Sequence, residues 1–208
     1  MDQEVKIVIV GDGATGKTCA LEVFKNKTFP QAYVPTVFDN YTATVNLSGQ
    51  EIRLSLFDTA GQDDYDRLRP LSYPNTDVFI ILCSAESQFT FDNIEHKWAE
   101  EIEHHCPNTP VILACNKIDL RDDPVYRSKC LAPEYGMELG KKIGAYFYCE
   151  FSAMESCTPS SKHFGSVDKC FSKAAMLGFK KKTGAKMPPK LDGKAAKEKS
   201  GRTGCSIL

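Results

Sequence analysis

The residues of this 208-residue chain with the clearest chemistry form the segment 11–18, which reads GDGATGKT. It matches the pattern G-x-x-x-x-G-K-[ST] without a mismatch, and the β-branched run VKIVIV at residues 5–10 precedes it. Glycines let a backbone curl with its N–H groups facing a phosphate. Lys17 would reach the β- and γ-phosphates, and the Thr18 hydroxyl would bind Mg²⁺. The sequence predicts a nucleotide site here, with contacts from Gly13, Ala14, Thr15, Gly16, Lys17, Thr18 and Cys19.

A second candidate stretch follows the apolar run 52–57 and reads DTAGQ at residues 58–62. A carboxylate at the carboxyl end of a strand beside a phosphate loop is well placed to hold Mg²⁺, so Asp58 is a predicted metal residue. Gly61 can turn a peptide N–H toward a γ-phosphate without steric cost. The amide of Gln62 can then orient an attacking water, which predicts hydrolysis of the terminal phosphate.

A third stretch follows the apolar run 111–115 and reads NKID at residues 116–119. A carboxylate here can accept hydrogen bonds from N1–H and from the exocyclic amine of guanine, neither of which adenine offers. Asp119 is therefore the predicted selector for guanine, because adenine would leave a buried charge unpaired. The stem of Lys117 can pack over the base, and Asn116 can tie this loop to the phosphate loop.

The residues FSAM at 151–154 follow the last apolar run. Backbone N–H groups at this place can donate to the guanine O6 atom. The predicted donors are Ser152, Ala153 and Met154. A plain turn explains the same four residues equally well, so both interpretations stay open.

The composition is that of a soluble globular protein, with 42% hydrophobic and 25% charged residues. Nine cysteines occur without a C-x-x-C spacing, which favours reduced cysteines over a disulfide framework or a zinc site. The first residues, MDQE, lack the features of a signal peptide, and no apolar run approaches the length of a membrane span.

Apolar strand-like runs alternate with helix-like stretches, which predicts an α/β sheet with helices on both faces. The strand-like runs are 5–10, 41–47, 52–57, 77–83, 111–115 and 146–151, and the helix-like stretches are 17–25, 89–105, 134–143 and 167–178. The short turn at 48–50 joins the second and third runs, so one edge strand should be antiparallel in an otherwise parallel six-stranded sheet. The aperiodic segments 26–40 and 59–76 are predicted mobile loops beside the site.

The end of the chain carries an electrostatic and a covalent signal. Residues 180–204 contain nine lysine or arginine residues and only two acidic ones, although the whole chain has a net charge of −1. The last four residues, CSIL, match the C-a-a-X pattern, so Cys205 is a predicted geranylgeranylation site. One lipid gives only marginal membrane binding, and the basic residues would supply the second signal. The alternative interpretation is a solvated basic tail with no role in membrane binding.

Taken together, these motifs resemble those of the small GTPases of the Ras superfamily, and of its Rho branch in particular. The resemblance is carried by PTVFDNY at 35–41, DTAGQDDYDRLRPLSYP at 58–74, FDNI at 91–94, KW at 97–98 and DLR at 119–121. It covers residues 4–150 almost continuously and 167–178 more loosely. It implies a P-loop NTPase small G domain over 1–178, a flexible polybasic tail over 179–204 and a prenylation box at 205–208.

The resemblance also implies cofactors and roles for further residues. GTP or GDP would bind with Mg²⁺, Phe29 would pack against the guanine, and Tyr33 would cap the phosphates. Thr36 would bind Mg²⁺ and the γ-phosphate in the GTP state only, so that Thr36 and Gly61 hold two loops that relax after hydrolysis. Gly13 would leave room for catalysis. The implied metal residues are Thr18, Thr36 and Asp58, and the implied catalytic residues are Gln62, Lys17 and Thr36.

By the same resemblance, the chain would be a membrane-anchored GTP/GDP switch with slow hydrolysis that acts in actin cytoskeleton signalling. Its implied partners are exchange factors, a dissociation inhibitor, effectors, anionic membranes and GTPase-activating proteins, with no nucleic acid among them. An arginine supplied in trans by the activating protein is worth roughly 10³ to 10⁵ in rate. The implied location is the cytoplasmic face of the plasma membrane, with a cytosolic pool.

The chain departs from the Rho pattern in four places. The stretch from Asp119 to Ser152 is short, which predicts that the extra helix after Arg121 is missing. The stretch 155–165 is long, and we expect it to cover or flank the base. Phe57 stands where many Rho and Rac members carry tryptophan. The pair Asn116-Lys117 is nearer to the general Ras pattern than to the Rho pattern.

Two other classes of protein compete with this interpretation. A GTP-bound scaffold that does not hydrolyse is one, and Gly13 and Gln62 argue against it. A P-loop kinase or ATPase is the other, and Asp119 argues against that. Single-turnover hydrolysis of GTP separates the switch from the scaffold, and competition between guanine and adenine nucleotides separates it from the kinase.

Overall fold

A six-stranded sheet with the order β2-β3-β1-β4-β5-β6 forms the centre of the molecule. The computed structural model describes residues 4–32 and 36–192. The β2–β3 pair is antiparallel and the other four pairs are parallel, which confirms the predicted sheet. The strands are β1 (Glu4–Val10), β2 (Phe38–Leu47), β3 (Gln50–Thr59), β4 (Val78–Ser84), β5 (Val111–Asn116) and β6 (Phe147–Glu150).

Within the described ranges, five α-helices flank this sheet, and the second and third are joined without a break by a π-helical turn over Ile94–Ala99. The helices are α1 (Lys17–Asn26), α2 (Gln88–Asn93), α3 (Glu100–His105), α4 (Pro133–Lys142) and α5 (Ser166–Thr183). Short 3₁₀ segments occur at Asp63–Tyr65, Arg69–Ser72 and Ile118–Arg121.

Two apolar cores lie on the two faces of the sheet, because successive side chains of a strand point in opposite directions. In β1, Ile7 and Ile9 belong to the core that α1 and α5 cover, whereas Val8 and Val10 belong to the core that contains Trp98. The helices lie on both faces of the sheet, as predicted.

All cysteines in the described part of the chain are free thiols.

The short stretch after Arg121 folds as turns over residues 122–130 and forms no helix before α4. This is the outcome that its length predicts. The long stretch 155–165 also consists of turns, and Lys162 on it pairs with Asp122 at 2.6 Å.

The predicted start of the flexible tail at residue 179 is wrong. Helix α5 continues to Thr183, and the chain then returns along the domain, where the Leu191 N–H donates to the Ala145 carbonyl at 2.9 Å. Met187 and Leu191 pack against the two cores. These apolar residues are too widely spaced to form a periodic pattern, so the sequence does not predict that they pack. Residues 193–208, which include Cys205, lie outside the described residues.

Candidate functional site

The phosphate loop joins β1 to α1 and depends on glycine at two positions. A Cβ atom on Gly11 would lie 2.2 Å from the Leu82 carbonyl oxygen, and Gly11 has φ 141°. A Cβ atom on Gly16 would lie 2.4 Å from the Asn116 Nδ2 atom, and Gly16 has φ 89°. Both the backbone conformation and the space therefore require glycine, which gives the loop its curled shape.

Lys17 lies beneath this loop with its ammonium group almost removed from solvent. Its Nζ atom donates to the carbonyl oxygens of Gly11 and Asp12, both at 2.8 Å. Burial lowers the Lys17 pKa to about 8, although the carboxylates of Asp58 and Asp12 act in the opposite direction. A desolvated cation beside a ring of backbone N–H groups is suited to an anion such as a phosphate.

Three oxygen atoms from three parts of the chain meet next to this lysine. The Thr18 hydroxyl donates to Asp58 Oδ2 at 2.6 Å, and Thr18 and Thr36 share a hydrogen bond of 2.7 Å between their hydroxyls. Asp58 is fully buried, burial raises its pKa, and its Oδ1 atom has no hydrogen-bond partner among the described residues. A cluster of hard oxygen donors with an unsatisfied carboxylate oxygen fits Mg²⁺.

An open cleft of about 750 Å³ adjoins these groups. Among the predicted residues, those that line it are Gly13, Ala14, Gly16, Lys17, Thr18, Cys19, Phe29, Thr36, Gly61, Gln62 and Lys117. Its volume is in the range of small-molecule sites. The structure thus brings predicted phosphate-binding residues and the predicted water-orienting Gln62 around one cavity, together with Phe29 and Lys117 from the predicted base site.

Several other predicted residues are not among those that line the cleft. Thr15 and Asn116 are buried, and Asn116 Nδ2 donates to the Thr15 carbonyl at 2.9 Å. The Ala153 N–H, a predicted donor to guanine, donates to Asn116 Oδ1 at 3.0 Å. Asn116 therefore joins the phosphate loop to the loop after β6, in which Ser152 is buried and Met154 is exposed.

Asp119 is half-buried in the 3₁₀ segment that follows Lys117. Lys117 has a left-handed backbone conformation, and its Nζ atom donates to Glu86 Oε1 at 2.6 Å. Glu86 was not predicted, because a single acidic residue after β4 carries no signal until the fold brings it to Lys117. Tyr33 lies outside the described residues.

That residues 155–165 cover or flank the base stays a prediction. None of these residues is among those that line the cleft. Instead, Lys162 pairs with Asp122, and Ser161 donates to Glu155 within the same loop at 2.7 Å. The exposed ion pair between Lys162 and Asp122 thus connects this loop to the segment 122–130, which forms no helix.

Comparison with known families agrees with this geometry. The sequence model of the Ras family matches residues 6–170. The match runs from β1 into α5, so it includes the phosphate loop, the Asp58 cluster and the loop that contains Asp119. With most of the chain matched, a six-stranded G-domain sheet and a cleft that suits a nucleotide and Mg²⁺, the chain belongs to the Ras family of small GTPases.

Proposed function

We propose that this small GTPase is a Rho-like, membrane-attached switch that hydrolyses GTP slowly and acts on the actin cytoskeleton through effectors. The observation that carries the switch is the meeting of Thr36 with Thr18 and Asp58. Thr36 belongs to the loop before β2, whereas Asp58 lies near the end of β3. A group that binds at this point therefore sets the position of a loop that effectors can read.

The residues of the cleft divide the work of hydrolysis. Bound Mg²⁺ would neutralise phosphate charge, held by Thr18, Thr36 and Asp58. Lys17 would bind the β- and γ-phosphates and would keep its proton while doing so. Gln62, which is exposed and lines the cleft, would orient the attacking water. Positioning and electrostatic stabilisation supply most of the catalysis in this class of reaction.

No arginine occurs among the described residues that line the cleft. The guanidinium of Arg69 is buried and bonded to Ala60, Asp66 and Glu101, so it cannot serve the site without breaking these bonds. This supports slow intrinsic hydrolysis and an arginine supplied by an activating protein. Addition of such a partner should raise the rate by roughly 10³ to 10⁵.

Guanine selectivity is proposed to rest on Asp119. The variant Asp119→Asn should lose affinity for GDP and gain affinity for xanthosine diphosphate, whose C2 oxygen accepts from an amide. The matched control is Asp122→Asn, which changes an exposed aspartate three residues away that pairs with Lys162. Competition binding between GDP and xanthosine diphosphate measures the change, and unaltered GDP preference in Asp119→Asn would contradict the assignment.

Membrane attachment is proposed to need geranylgeranyl on Cys205 and the lysines beyond the domain. Lys181 and Lys182 are not among these lysines, because their side chains bind to the domain itself. Lys181 donates to Thr76 and Thr109, and Lys182 pairs with Asp77. The test therefore reverses the charge of Lys194 and Lys197 by substitution with glutamate. This should weaken the binding of prenylated protein to anionic vesicles but not to neutral ones.

Lys129→Glu with Lys169→Glu is the matched control, because both of these side chains are exposed on the body of the domain. It should leave vesicle binding unchanged. Equal binding of the wild-type protein to neutral and anionic vesicles at low salt would contradict the electrostatic part. Cys205→Ser should abolish binding to both. A pull-down with the Gln62→Leu form would identify effectors and test the link to actin.

A further inference from the structure

Trp98 is the only tryptophan of the chain, and it is buried between the phosphate loop and the loop after β3. Its Nε1–H donates to Asp12 Oδ1 at 2.9 Å. The guanidinium of Arg69 lies 4.5 Å from the centroid of its ring. One side chain therefore contacts a residue of the phosphate loop with its edge and a residue of the neighbouring loop with its face.

The π-helical turn explains how this helix reaches the phosphate loop with two side chains. Asn93 and Trp98 are five residues apart, and i and i+5 are the hydrogen-bonded partners of a π-helix, so they lie on one side of it. Asn93 Nδ2 donates to both carboxylate oxygens of Asp12, at 3.1 and 3.0 Å. In a regular α-helix, two residues with this spacing would diverge by more than a third of a turn.

The Asp12 carboxylate is consequently held by two donor groups, Asn93 Nδ2 and Trp98 Nε1, while it is almost fully buried. The backbone carbonyl of the same residue accepts a hydrogen bond from the Lys17 ammonium. Asp12 therefore transmits the position of the helix to the phosphate loop.

Arg69 holds the other side of the assembly. Its Nη1 atom donates to the Ala60 carbonyl at 3.0 Å, and its Nε and Nη2 atoms donate to Glu101 on α3 at 2.9 and 2.6 Å. Ala60 directly precedes Gly61, so this bond fixes the peptide group that leads into Gly61. A buried, bidentate arginine–carboxylate pair is a rigid connection.

The two loops also touch each other directly. A Cβ atom on Gly61 would lie 2.3 Å from the Gly11 carbonyl oxygen and 2.5 Å from the Gly13 nitrogen. The backbone of Gly61 is thus pressed against the phosphate loop beside Asp12. A shift of either loop would have to move the groups that contact Trp98.

We propose that Trp98 is a positioning residue for GTP hydrolysis, which couples Gly61 and Gln62 to the phosphate loop through Asp12 on one side and Arg69 on the other. This inference rests on the proposed GTP switch. In the described structure the Trp98 N–H donates to the Asp12 carboxylate and its ring lies against Arg69 and Lys97, none of which is a predicted phosphate or metal ligand. Loss of the coupling should therefore lower the hydrolysis rate more than the nucleotide affinity.

The variant Trp98→Phe keeps an aromatic ring beneath Arg69 and removes the N–H that donates to Asp12, although the smaller ring also leaves a cavity at this buried position. Loss of a hydrogen bond to a charged group predicts a decrease of about tenfold in single-turnover hydrolysis, with GDP affinity changed by less than about threefold. Asn93→Ala should act in the same direction through the same carboxylate. It also serves as the second variant if Trp98→Phe fails to fold.

A swap provides a test that general destabilisation cannot imitate. Asn93→Asp alone places two carboxylates together and should reduce hydrolysis strongly, whereas adding Asp12→Asn restores an amide–carboxylate pair and should recover part of the rate. The matched control is Asp92→Asn on the same helix, whose carboxylate accepts from the exposed Gln88 side chain. It should hydrolyse GTP at the wild-type rate.

Tryptophan fluorescence gives a readout that does not need hydrolysis. Because the chain has one tryptophan, the emission reports this site alone, and it should differ between the GDP form and the form with a non-hydrolysable GTP analogue. Wild-type rates in Trp98→Phe and Asn93→Ala would overturn the proposal, as would emission independent of the nucleotide. If the wild-type protein binds GTP without hydrolysing it, the switch proposal fails by itself and the fluorescence still decides the coupling.

Discussion

At the scale of single residues, the unusual group is the Lys17 ammonium, which is charged in water but buried here with a pKa lowered to about 8. Without a bound anion, most of the protein has a neutral Lys17 at pH 8.5. Phosphates favour the charged form, so binding should raise this pKa and draw a proton from solution.

We therefore predict that GDP binding at pH 8.5 is accompanied by uptake of most of a proton, and that uptake is small at pH 7. Calorimetry in buffers of different ionisation enthalpy measures it. Lys17→Arg is the control, because a guanidinium stays protonated at both pH values. Equal proton uptake by the wild-type protein at the two pH values would contradict the burial of this lysine.

Linkage gives the matching effect on stability. A lysine whose folded pKa is depressed binds fewer protons in the folded state between pH 8 and its unfolded pKa near 10.4, so its contribution to stability rises with pH in that window. Lys17→Met should remove this dependence in the nucleotide-free protein, as measured by urea unfolding at pH 7.5 and 9.5. An unchanged pH slope in the variant would show that other groups cause it.

One added methyl group should affect a different step of hydrolysis at each of two glycines of the site. A Cβ atom on Gly13 meets nothing within 4 Å, whereas one on Gly61 meets the backbone of the phosphate loop at 2.3 to 2.5 Å. Gly13→Ala should leave the thermal midpoint unchanged but impair stimulation by an activating protein that must insert an arginine. Gly61→Ala should separate the two loops and reduce intrinsic hydrolysis. Melting curves and rates for both variants test this contrast.

The sequence made Lys17, Thr18 and Asp58 predictable because each occupies a fixed place after a strand, and parallel strands bring their carboxyl ends together. It did not reveal Glu86 or the role of Asp12. The partner of Glu86 is 31 residues away, and the two partners of Asp12 are 81 and 86 residues away, so only the packed fold brings these pairs into contact.

At the scale of elements, every predicted strand and helix exists, and the differences lie at ends and in local geometry. Apolar periodicity gave the cores of α1, α4 and α5, but periodicity weakens where lysine stems replace apolar side chains. For that reason the sequence predicts an end of α5 at residue 178, whereas the helix continues to Thr183. The π-helical turn was also not predictable, since its residues fit an α-helix equally well.

The segment after α5 should contribute to stability through Leu191. Its side chain is half-buried against the core that contains Trp98, and its N–H is bonded to Ala145. Leu191→Ala should lower the free energy of unfolding by about 1–2 kcal/mol, less than for a fully buried leucine. Lys186→Ala, an exposed position on the same segment, should change it little. Denaturant unfolding of both variants would show equal stabilities if the segment were not docked.

At the scale of the whole molecule, the described domain has no helix with the length and apolar character needed to cross a bilayer. The sequence alone motivates the proposal that membrane attachment depends on the basic end of the chain. The nine basic residues of 180–204 belong to a chain with a net charge of −1, so the rest of the protein is acidic. An anionic surface should repel that body and attract the basic end, which would orient the molecule.

Bound nucleotide should form part of the folded state. A ligand at 1,000 times its Kd adds roughly 4 kcal/mol to stability. We predict that a chelator of Mg²⁺ lowers the thermal midpoint of the GDP-bound protein and speeds nucleotide release. Asp58→Asn should make the protein much less sensitive to the chelator. A melting curve indifferent to both GDP and chelator would contradict the site.

The most direct test of the central claim is single-turnover hydrolysis of bound GTP. Wild-type protein loaded with GTP and Mg²⁺ should convert it slowly to GDP and phosphate, while Gln62→Leu should bind GTP equally well and convert it much more slowly. Chromatography of the bound nucleotide over time measures both. If the wild-type protein held GTP unchanged, at the same level as Gln62→Leu, it would be a GTP-bound scaffold rather than a switch.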